Sequence, residues 1–155
     1  MGDCKINLSE LNYKFRESIE LLKKTAVNSN IIHKHAAALI QNDHVYSYAY
    51  NDFIKKMKPK TENKTIHAEI NIFYKYPKKN VKGMDIIVIR INNTNTFLKN
   101  SRPCNSCIDK LREIGIRKVY YSNALGNIVC EHVKHMEKLH ISSRSKYLLN
   151  KNQTT

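Results

Sequence analysis

Glycine and proline are scarce in this chain of 155 residues, which contains four glycines and three prolines. Such scarcity is not typical of low-complexity or fibrous proteins. Long apolar runs are also missing, since no stretch approaches the ~20 residues that a membrane-spanning helix needs. Residues 1–15 lack the apolar core of a signal peptide. We therefore expect an intracellular, cytoplasmic protein with no membrane partner.

Cysteine is limited to Cys4, Cys104, Cys107 and Cys130. Because the cell interior is reducing, the close pair Cys104 and Cys107 favours a metal site over a disulfide. The apolar content of 41% is that of a folded protein. The length suits one domain with one core. We predict a single domain over residues 1–135, followed by a basic C-terminal tail over residues 136–155.

Acidic residues are few: 13 Asp and Glu against 27 Lys and Arg give a formal charge of +14. An excess of this size favours an anionic partner such as a nucleic acid, a nucleotide or a membrane surface. However, only six of the 27 basic residues are Arg, the residue that binds phosphate bidentately. Abundant Lys, Asn and Ile are also what an AT-rich coding sequence produces, so the charge is either functional or compositional.

Three segments have the apolar periodicity of helices. The first is predicted to begin with Ser9 as its cap, and its apolar face comprises Leu11, Phe15, Ile19, Leu22 and Ala26. The second begins near His67. The third has Pro103 in its first turn and ends at Gly115.

Five segments have the composition of strands: residues 35–40, 45–50, 85–91, 118–122 and 127–133. The first two are joined by a turn at residues 41–44. Only residues 123–126 separate the last two, which predicts an antiparallel hairpin because a parallel return needs a longer crossover. The order α, β, β, α, β, α, β, β predicts an α/β fold of three layers, with helices on both faces of a mixed five-stranded sheet.

Two short motifs stand at the starts of predicted helices: His67-Ala68-Glu69 and Pro103-Cys104-Asn105-Ser106-Cys107. Cys104 and Cys107 are three residues apart, so their sulfurs lie on one side of a helical turn and can share a tetrahedral metal. The positive end of the helix dipole favours their thiolate forms. With His67 as the third ligand, one position stays open for water, which is typical of catalytic zinc.

Glu69 is too displaced from His67 to be an obvious ligand, but it lies close enough to reach that water. Zinc lowers the pKa of a bound water to about 7. A neighbouring carboxylate can then take the proton of the water and pass it on as a general acid.

At these residues the chain resembles the cytidine deaminase superfamily, whose zinc enzymes combine H-x-E with P-C-x-x-C. The resemblance implies Zn²⁺ as the cofactor, with His67, Cys104 and Cys107 as metal ligands and Glu69 as the catalytic proton carrier. It implies hydrolytic deamination of a nucleobase amine, most often cytosine, in a nucleoside, a nucleotide or single-stranded nucleic acid. Relatives often form dimers or tetramers, so a homo-oligomer is possible.

The resemblance extends over roughly residues 10–133. Residues 36–40, 48–51 and 67–70 are similar to the first two strands and the zinc helix of deoxycytidylate and tRNA adenosine deaminases. The strand-ending Asn of these enzymes contacts the substrate, and it matches Asn51. The resemblance therefore implies that Asn51 binds substrate.

Four features depart from parts of the superfamily. Nucleoside cytidine deaminases place a ribose-binding Glu two residues after this Asn, where the chain has Phe53, and this favours a nucleotide or nucleic acid over a free nucleoside. Their first ligand is usually Cys, whereas here it is His67. The predicted final hairpin differs from the parallel last strands of deoxycytidylate and tRNA deaminases. It is similar to the ending of free-nucleoside, blasticidin-type and bacterial toxin deaminases. Arg102, before the motif proline, is expected to meet a phosphate or to point into solvent.

Several alternatives stay open at this point. Lys55, Lys56, Lys58, Lys60 and Lys64 precede His67 and form either a solvated loop or a cation cluster that attracts phosphate. Tyr46, Tyr48 and Tyr50 either pack at the sheet or stack on a base. For the whole chain, the competing functions are a nucleic-acid-binding protein with structural zinc and a toxin-like effector that deaminates nucleic acid.

Overall fold

The computed structural model describes residues 4–6, 12–54, 64–76, 80–94 and 97–138. No helix among them is long and apolar enough to cross a membrane. The elements in chain order are β1 (Cys4–Ile6), α1 (Tyr13–Ala26), β2 (His35–Gln41), β3 (His44–Tyr50), β4 (Asp52–Phe53), β5 (Thr65–Ile66), α2 (Ala68–Lys75), β6 (Asp85–Ile91), β7 (Leu98–Lys99), α3 (Asn105–Ile114), β8 (Lys118–Ser122), β9 (Ile128–His132) and a short 3-10 turn (Val133–His135).

The main sheet has the strand order β1-β9-β8-β6-β2-β3, and β7 pairs with the end of β6. Only β6 and β8 pair in parallel; the other pairs are antiparallel. The predicted strands correspond to β2, β3, β6, β8 and β9, so the mixed α/β sheet and its final hairpin are confirmed. The sheet has seven strands, however, and not the predicted five, because β1 and β7 extend it, and β4 and β5 form a second, two-stranded sheet. These four strands of two or three residues are too short to show a periodicity in the sequence.

Side chains alternate between the two faces of the sheet and give the molecule two cores. On one face, Ile87 and Ile89 of β6 pack with Ile19 and Leu22 of α1. On the other face, Ile86 and Val88 pack with α2 and α3 residues such as Ile72, Ile108 and Leu111. The predicted arrangement of helices on both faces is confirmed. The continuous apolar character of β6 follows from its central position, since both of its faces are covered.

The helix ends differ in detail from the prediction. Helix α1 begins at Tyr13 rather than after Ser9, because Asn12 Oδ1 accepts a hydrogen bond from Phe15 N at 2.9 Å and caps the first turn. Ser9 and Leu11 lie outside the described residues. Pro103 precedes α3 instead of lying in its first turn, and Cys104 occupies the cap position.

The end of α3 is as predicted. Gly115 caps the helix with a left-handed φ of 90°, and its amide bonds to Leu111 O at 3.1 Å. A glycine adopts this conformation without the steric penalty that a Cβ would impose.

The β2–β3 hairpin turns at Asn42 and Asp43, whose φ values are 50° and 63°. Two successive left-handed residues form the turn that matches the twist of a tight hairpin, and Asn and Asp tolerate it better than most residues. Asp43→Gly should raise the free energy of unfolding by about 0.5 kcal/mol, because glycine adopts a positive φ without strain.

Asp43→Ala is the matched comparison and should lower that free energy by about 1 kcal/mol, because alanine keeps the Cβ and loses the tolerant polar side chain. Urea unfolding measures both. Equal free energies for the two variants would contradict a left-handed conformation at residue 43.

Candidate active site

Two helices begin close together at one end of the sheet and carry the predicted motifs. Helix α2 is fixed to β3 by two hydrogen bonds: Ser47 Oγ donates to Ile72 O at 3.0 Å, and Asn71 Nδ2 donates to Tyr50 O at 2.9 Å. His67 occupies the cap position of α2, with an extended backbone. Its side chain is therefore held where the chain changes from strand to helix.

A pair of buried serines fixes the segment that leads into α3. Ser101 Oγ donates to Val88 O at 2.8 Å, and Ser101 N donates to Ser122 O at 2.8 Å. Ser122 N donates back to Ser101 Oγ at 2.9 Å. Both serines are almost fully buried. These bonds join the loop before Cys104 to the ends of β6 and β8, and so set where α3 begins.

The structure brings His67, Cys104 and Cys107 together. Their ligand atoms all lie within 4.8 Å of one another, and they form the one group of this kind among the described residues. His67 Nδ1 lies 3.1 Å from Cys107 Sγ and 3.6 Å from Cys104 Sγ. Both cysteines are buried, and His67 is partly buried.

These spacings fit a tetrahedral zinc ion. Zinc–sulfur and zinc–nitrogen bonds of about 2.3 Å and 2.0–2.1 Å place a nitrogen and a sulfur ligand roughly 3.6 Å apart. The distance from His67 Nδ1 to Cys104 Sγ, 3.6 Å, equals this value, and the distance to Cys107 Sγ, 3.1 Å, is somewhat shorter. One imidazole and two thiolates also form a donor set that zinc prefers. His67, Cys104 and Cys107 therefore fit Zn²⁺.

Hydrogen bonds among the three groups divide their protons unequally. Hydrogen bonds from Cys107 and His67 lower the pKa of Cys104 to about 3, so this sulfur is a thiolate. The hydrogen bond to Cys104 and burial raise the pKa of Cys107, which keeps its proton. The hydrogen bond to Cys104 raises the pKa of His67 to about 9. A bound cation would replace the protons on Cys107 and His67.

The surroundings of the two sulfurs are mostly apolar. Ile70 of α2 packs against Cys104 and Cys107, and Ile66 borders them. Ser106 adds a polar contact, since its Oγ lies 3.2 Å from Cys104 Sγ. Ser106 was not among the predicted site residues, although its place between the two cysteines indicates a role in the site. Its hydroxyl can orient the sulfur as an outer-shell partner.

Glu69 lies in the first turn of α2 and is only 4% exposed. Its carboxyl reaches Cys107. Burial raises the pKa of Glu69, while the charge of His67 acts in the opposite direction. A buried carboxyl beside a metal-ligand group is well placed to accept and return a proton.

Asn51 follows β3. The pairing of β4 with β5 places it next to His67. Asp52 pairs with Ile66, so Asn51 and His67 lie one residue further along these two segments. Asn51 is 7% exposed. Its Oδ1 accepts from His35 N at 2.9 Å and lies 2.7 Å from Ser29 Oγ, while its Nδ2 donates to His33 O at 2.7 Å. The bond to His33 O uses one of the two Nδ2 hydrogens.

Arg102 neither points into solvent nor stands ready for a phosphate, contrary to both expectations. Its Nε lies 3.1 Å from Glu131 Oε2, and its side chain is 13% exposed. Its Nη2 donates to Glu137 O at 2.7 Å, and Tyr121 OH donates to the same Glu131 oxygen at 2.6 Å. Arg102 therefore joins the loop before Cys104 to β8, β9 and the chain that follows.

Three polar residues near Asn51 were not among the predicted site residues: His33, His35 and Arg90. His35 Nδ1 lies 2.9 Å from His33 O, and Arg90 Nη2 lies 2.7 Å from His33 Nδ1. A signal was available, because Arg90 interrupts an otherwise apolar central strand. A charged side chain at such a position needs a compensating partner.

The structure describes the tyrosines of β3 but only one residue of the lysine segment. Tyr46 and Tyr48 are 39% and 48% exposed, and Tyr46 contacts the rings of His44 and Tyr76 at the edge strand, so it packs there. Lys55, Lys56, Lys58 and Lys60 lie outside the described residues, and Lys64 is partly buried. The β4–β5 pair places both ends of the lysine segment close to His67.

Cys107→Ser should remove zinc from the protein, because a hydroxyl is a much weaker zinc ligand than a thiolate. The zinc content should fall from one atom per chain to near zero. Elemental analysis of purified protein measures it. Cys130→Ser is the matched control. Cys130 is also buried, but it lies on β9, away from the ligand group, so this variant should keep its zinc. Zinc retention in Cys107→Ser would contradict the ligand set.

His35 should make the protein less stable in mild acid. Burial lowers its pKa to about 4, so the folded form stays neutral while the unfolded form gains a proton below about pH 6.5. The free energy of unfolding should therefore fall as the pH drops from about 6.5 to about 4, by up to about 3 kcal/mol.

Denaturant unfolding at several pH values measures this dependence. His35→Gln should flatten it over the same interval, while acid release of the metal acts on both proteins and cancels in their difference. Parallel pH curves for His35→Gln and the wild type would contradict a neutral His35 in the folded state.

Comparison with known proteins agrees with this geometry. Residues 9–123, well over half of the chain, match the sequence profile described as the cytidine and deoxycytidylate deaminase zinc-binding region. No curated protein matches the chain.

Solved structures share the fold. The cytidine deaminase from Burkholderia pseudomallei aligns over 84% of this chain and 100% of its own, with a TM-score of 0.58 and 16% identity. The dCMP deaminase from cyanophage S-TIM5 in apo form covers 74% of this chain and 86% of its own, with a TM-score of 0.51 and 20% identity. The structure of that enzyme in complex with dCMP and dUMP covers 74% of this chain and 85% of its own, with a TM-score of 0.50 and 19% identity.

At these identities the structures establish a common fold, and the family match covers both motifs that meet at the starts of α2 and α3. This chain belongs to the zinc-binding family of cytidine and deoxycytidylate deaminases.

Proposed function

We propose that this protein hydrolyses the exocyclic amine of cytosine in a nucleoside or nucleotide and releases ammonia. One observation carries the proposal: the buried Glu69 carboxyl adjoins a His67, Cys104 and Cys107 group that fits zinc. Three possible protein ligands beside a buried carboxyl support a hydrolytic enzyme, because they leave a metal position for water and supply a proton carrier.

His67, Cys104 and Cys107 would hold the metal, which when bound lowers the pKa of a water molecule to about 7 and so supplies the nucleophile. Glu69 takes a proton from the water as the water attacks the ring carbon that bears the amine. It delivers this proton to the adjacent ring nitrogen. Glu69 then carries the second proton to the departing nitrogen, so the C–N bond breaks, a carbonyl forms and ammonia leaves.

The burial of Glu69 suits both halves of this role. A carboxyl with a raised pKa takes up a proton more readily than an exposed one, and it holds that proton until a stronger base, the ring nitrogen or the departing amine, accepts it. The apolar contacts of Ile70 with the two cysteines help to exclude bulk water from the same region. Asn51, beside His67, would donate its remaining amide hydrogen to the substrate.

Two observations support a cytosine-containing substrate. The structures that share the fold are a cytidine deaminase and a dCMP deaminase, the second in complex with dCMP and dUMP. The Asn and His-x-Glu elements that resemble these enzymes also adjoin one another in this fold. A nucleic-acid substrate and a homo-oligomer remain predictions from the resemblance.

Glu69→Gln should reduce ammonia release by about 10²–10⁴-fold or more, because the amide has the same shape but cannot carry a proton. The zinc content should stay at the wild-type level, since Glu69 is not a ligand. A coupled ammonia assay with cytidine, deoxycytidine, CMP and dCMP measures the turnover, and elemental analysis measures the zinc.

Glu113→Gln is the matched control, since it makes the same change on the exposed side of α3 and should keep full turnover. If Glu69→Gln were as active as Glu113→Gln, Glu69 would not be the proton carrier. Absence of turnover in wild-type protein that contains one zinc per chain would rule out these four substrates.

A further inference from the structure

Arg90 lies near the end of β6, on the face that α2 and α3 cover. Val88 belongs to the core under these helices, whereas Ile89 and Ile91 belong to the core under α1. Because side chains alternate along a strand, Arg90 lies on the same face as Val88. This is also the face of the proposed active site.

Arg90 forms no ion pair with a carboxylate within the part of the chain that the structure describes. Its Nη2 lies 2.7 Å from His33 Nδ1, a ring nitrogen and not a carboxylate oxygen. Its Nε is buried and has no hydrogen-bond partner. A partly buried guanidinium with a free donor is costly unless an anion compensates it. Among the described residues, Arg90 therefore has no carboxylate as its counter-ion.

A continuous row of polar residues connects Arg90 to the active site. Arg90 pairs with His35 across β6 and β2, and His35 N donates to Asn51 Oδ1 at 2.9 Å. Asn51 in turn lies one residue beyond the Asp52–Ile66 pair, next to His67. The row therefore runs from β6 through β2 to the metal-ligand region at the same end of the sheet.

The exposed His33 contacts three members of this row: Asn51, His35 and Arg90. His33 O accepts from Asn51 Nδ2 at 2.7 Å and lies 2.9 Å from His35 Nδ1, while its ring meets Arg90. Arg90 is thus held by the same residue that holds Asn51. A group bound at Arg90 would lie beside the sugar of a nucleoside whose base reached the metal-ligand group and whose sugar met Asn51.

We propose that Arg90, with His33, binds the phosphoryl group that the substrate carries on its sugar, so the preferred substrate is phosphorylated. The inference rests on the proposed deaminase function. A phosphoryl group is the anionic part of a nucleotide, and a guanidinium offers it parallel hydrogen bonds that a free nucleoside cannot use. The group is either the monoester of a mononucleotide or a diester of a single strand.

The test compares Arg90→Gln with Arg16→Gln in the full-length, zinc-containing protein. Arg16 is exposed on α1, on the opposite side of the sheet, so this variant loses the same charge away from the site. Ammonia release is measured as kcat/KM for deoxycytidine, for dCMP and for a short single-stranded DNA with one cytosine. Melting temperatures check that each variant is folded.

Arg90→Gln should lower kcat/KM for a phosphorylated substrate by at least tenfold more than for deoxycytidine, and Arg16→Gln should show no such difference. A loss confined to dCMP assigns the monoester, and a loss confined to the DNA assigns the diester. Equal losses on phosphorylated and unphosphorylated substrates would overturn the proposal. If Arg90→Gln fails to fold, Arg90→Lys should still lose part of the preference, and an unchanged preference would overturn it.

Calorimetric binding of dUMP and deoxyuridine separates this inference from the proposed function. A preference for dUMP that Arg90→Gln abolishes supports the phosphoryl site even when no substrate is deaminated. If cytosine compounds are deaminated but Arg90→Gln leaves the preference for dUMP intact, the phosphoryl site is wrong and the deaminase function stands.

Discussion

The whole arrangement depends on one constraint: ligand atoms that lie 37 and 40 residues apart in sequence must come within 4.8 Å of one another. The sheet meets this constraint through strand direction. Because β3 and β6 both run antiparallel to β2, they point the same way and end on the same side. Helices α2 and α3 follow those two ends on one face, so His67 and the two cysteines meet at the helix starts.

Hydrogen bonds between buried polar groups supply the precision that apolar packing lacks at these strand ends. Ser101 and Ser122 join the loop before Cys104 to β6 and β8, and Asn51 joins the end of β3 to the start of β2. Buried polar groups of this kind are costly unless they are paired. Their pairing permits few alternative positions for the ligand-bearing segments, as a site that binds metal requires.

Much of the fold was predictable because its signals are local. The apolar β6, the short link before β9 and the αL glycine Gly115 each reflect a simple constraint on the backbone. The ligand group was predictable because residue type and spacing define zinc sites. By contrast, the inward turn of Arg102 to Glu131 and the His33 contact of Arg90 depend on residues 29 and 57 positions away in sequence. Neither pair has a motif like that of the zinc ligands, so the sequence does not indicate which partner each arginine takes.

The small β4–β5 pair has a consequence for how this protein can change over evolution. Ile54 N donates to Lys64 O at 2.8 Å, so these two residues lie side by side at the open end of the β4–β5 pair. The entropy of closing a loop rises only slowly with its length. A change in the number of residues between Ile54 and Lys64 should therefore cost little stability, while the β4–β5 pair keeps His67 in position.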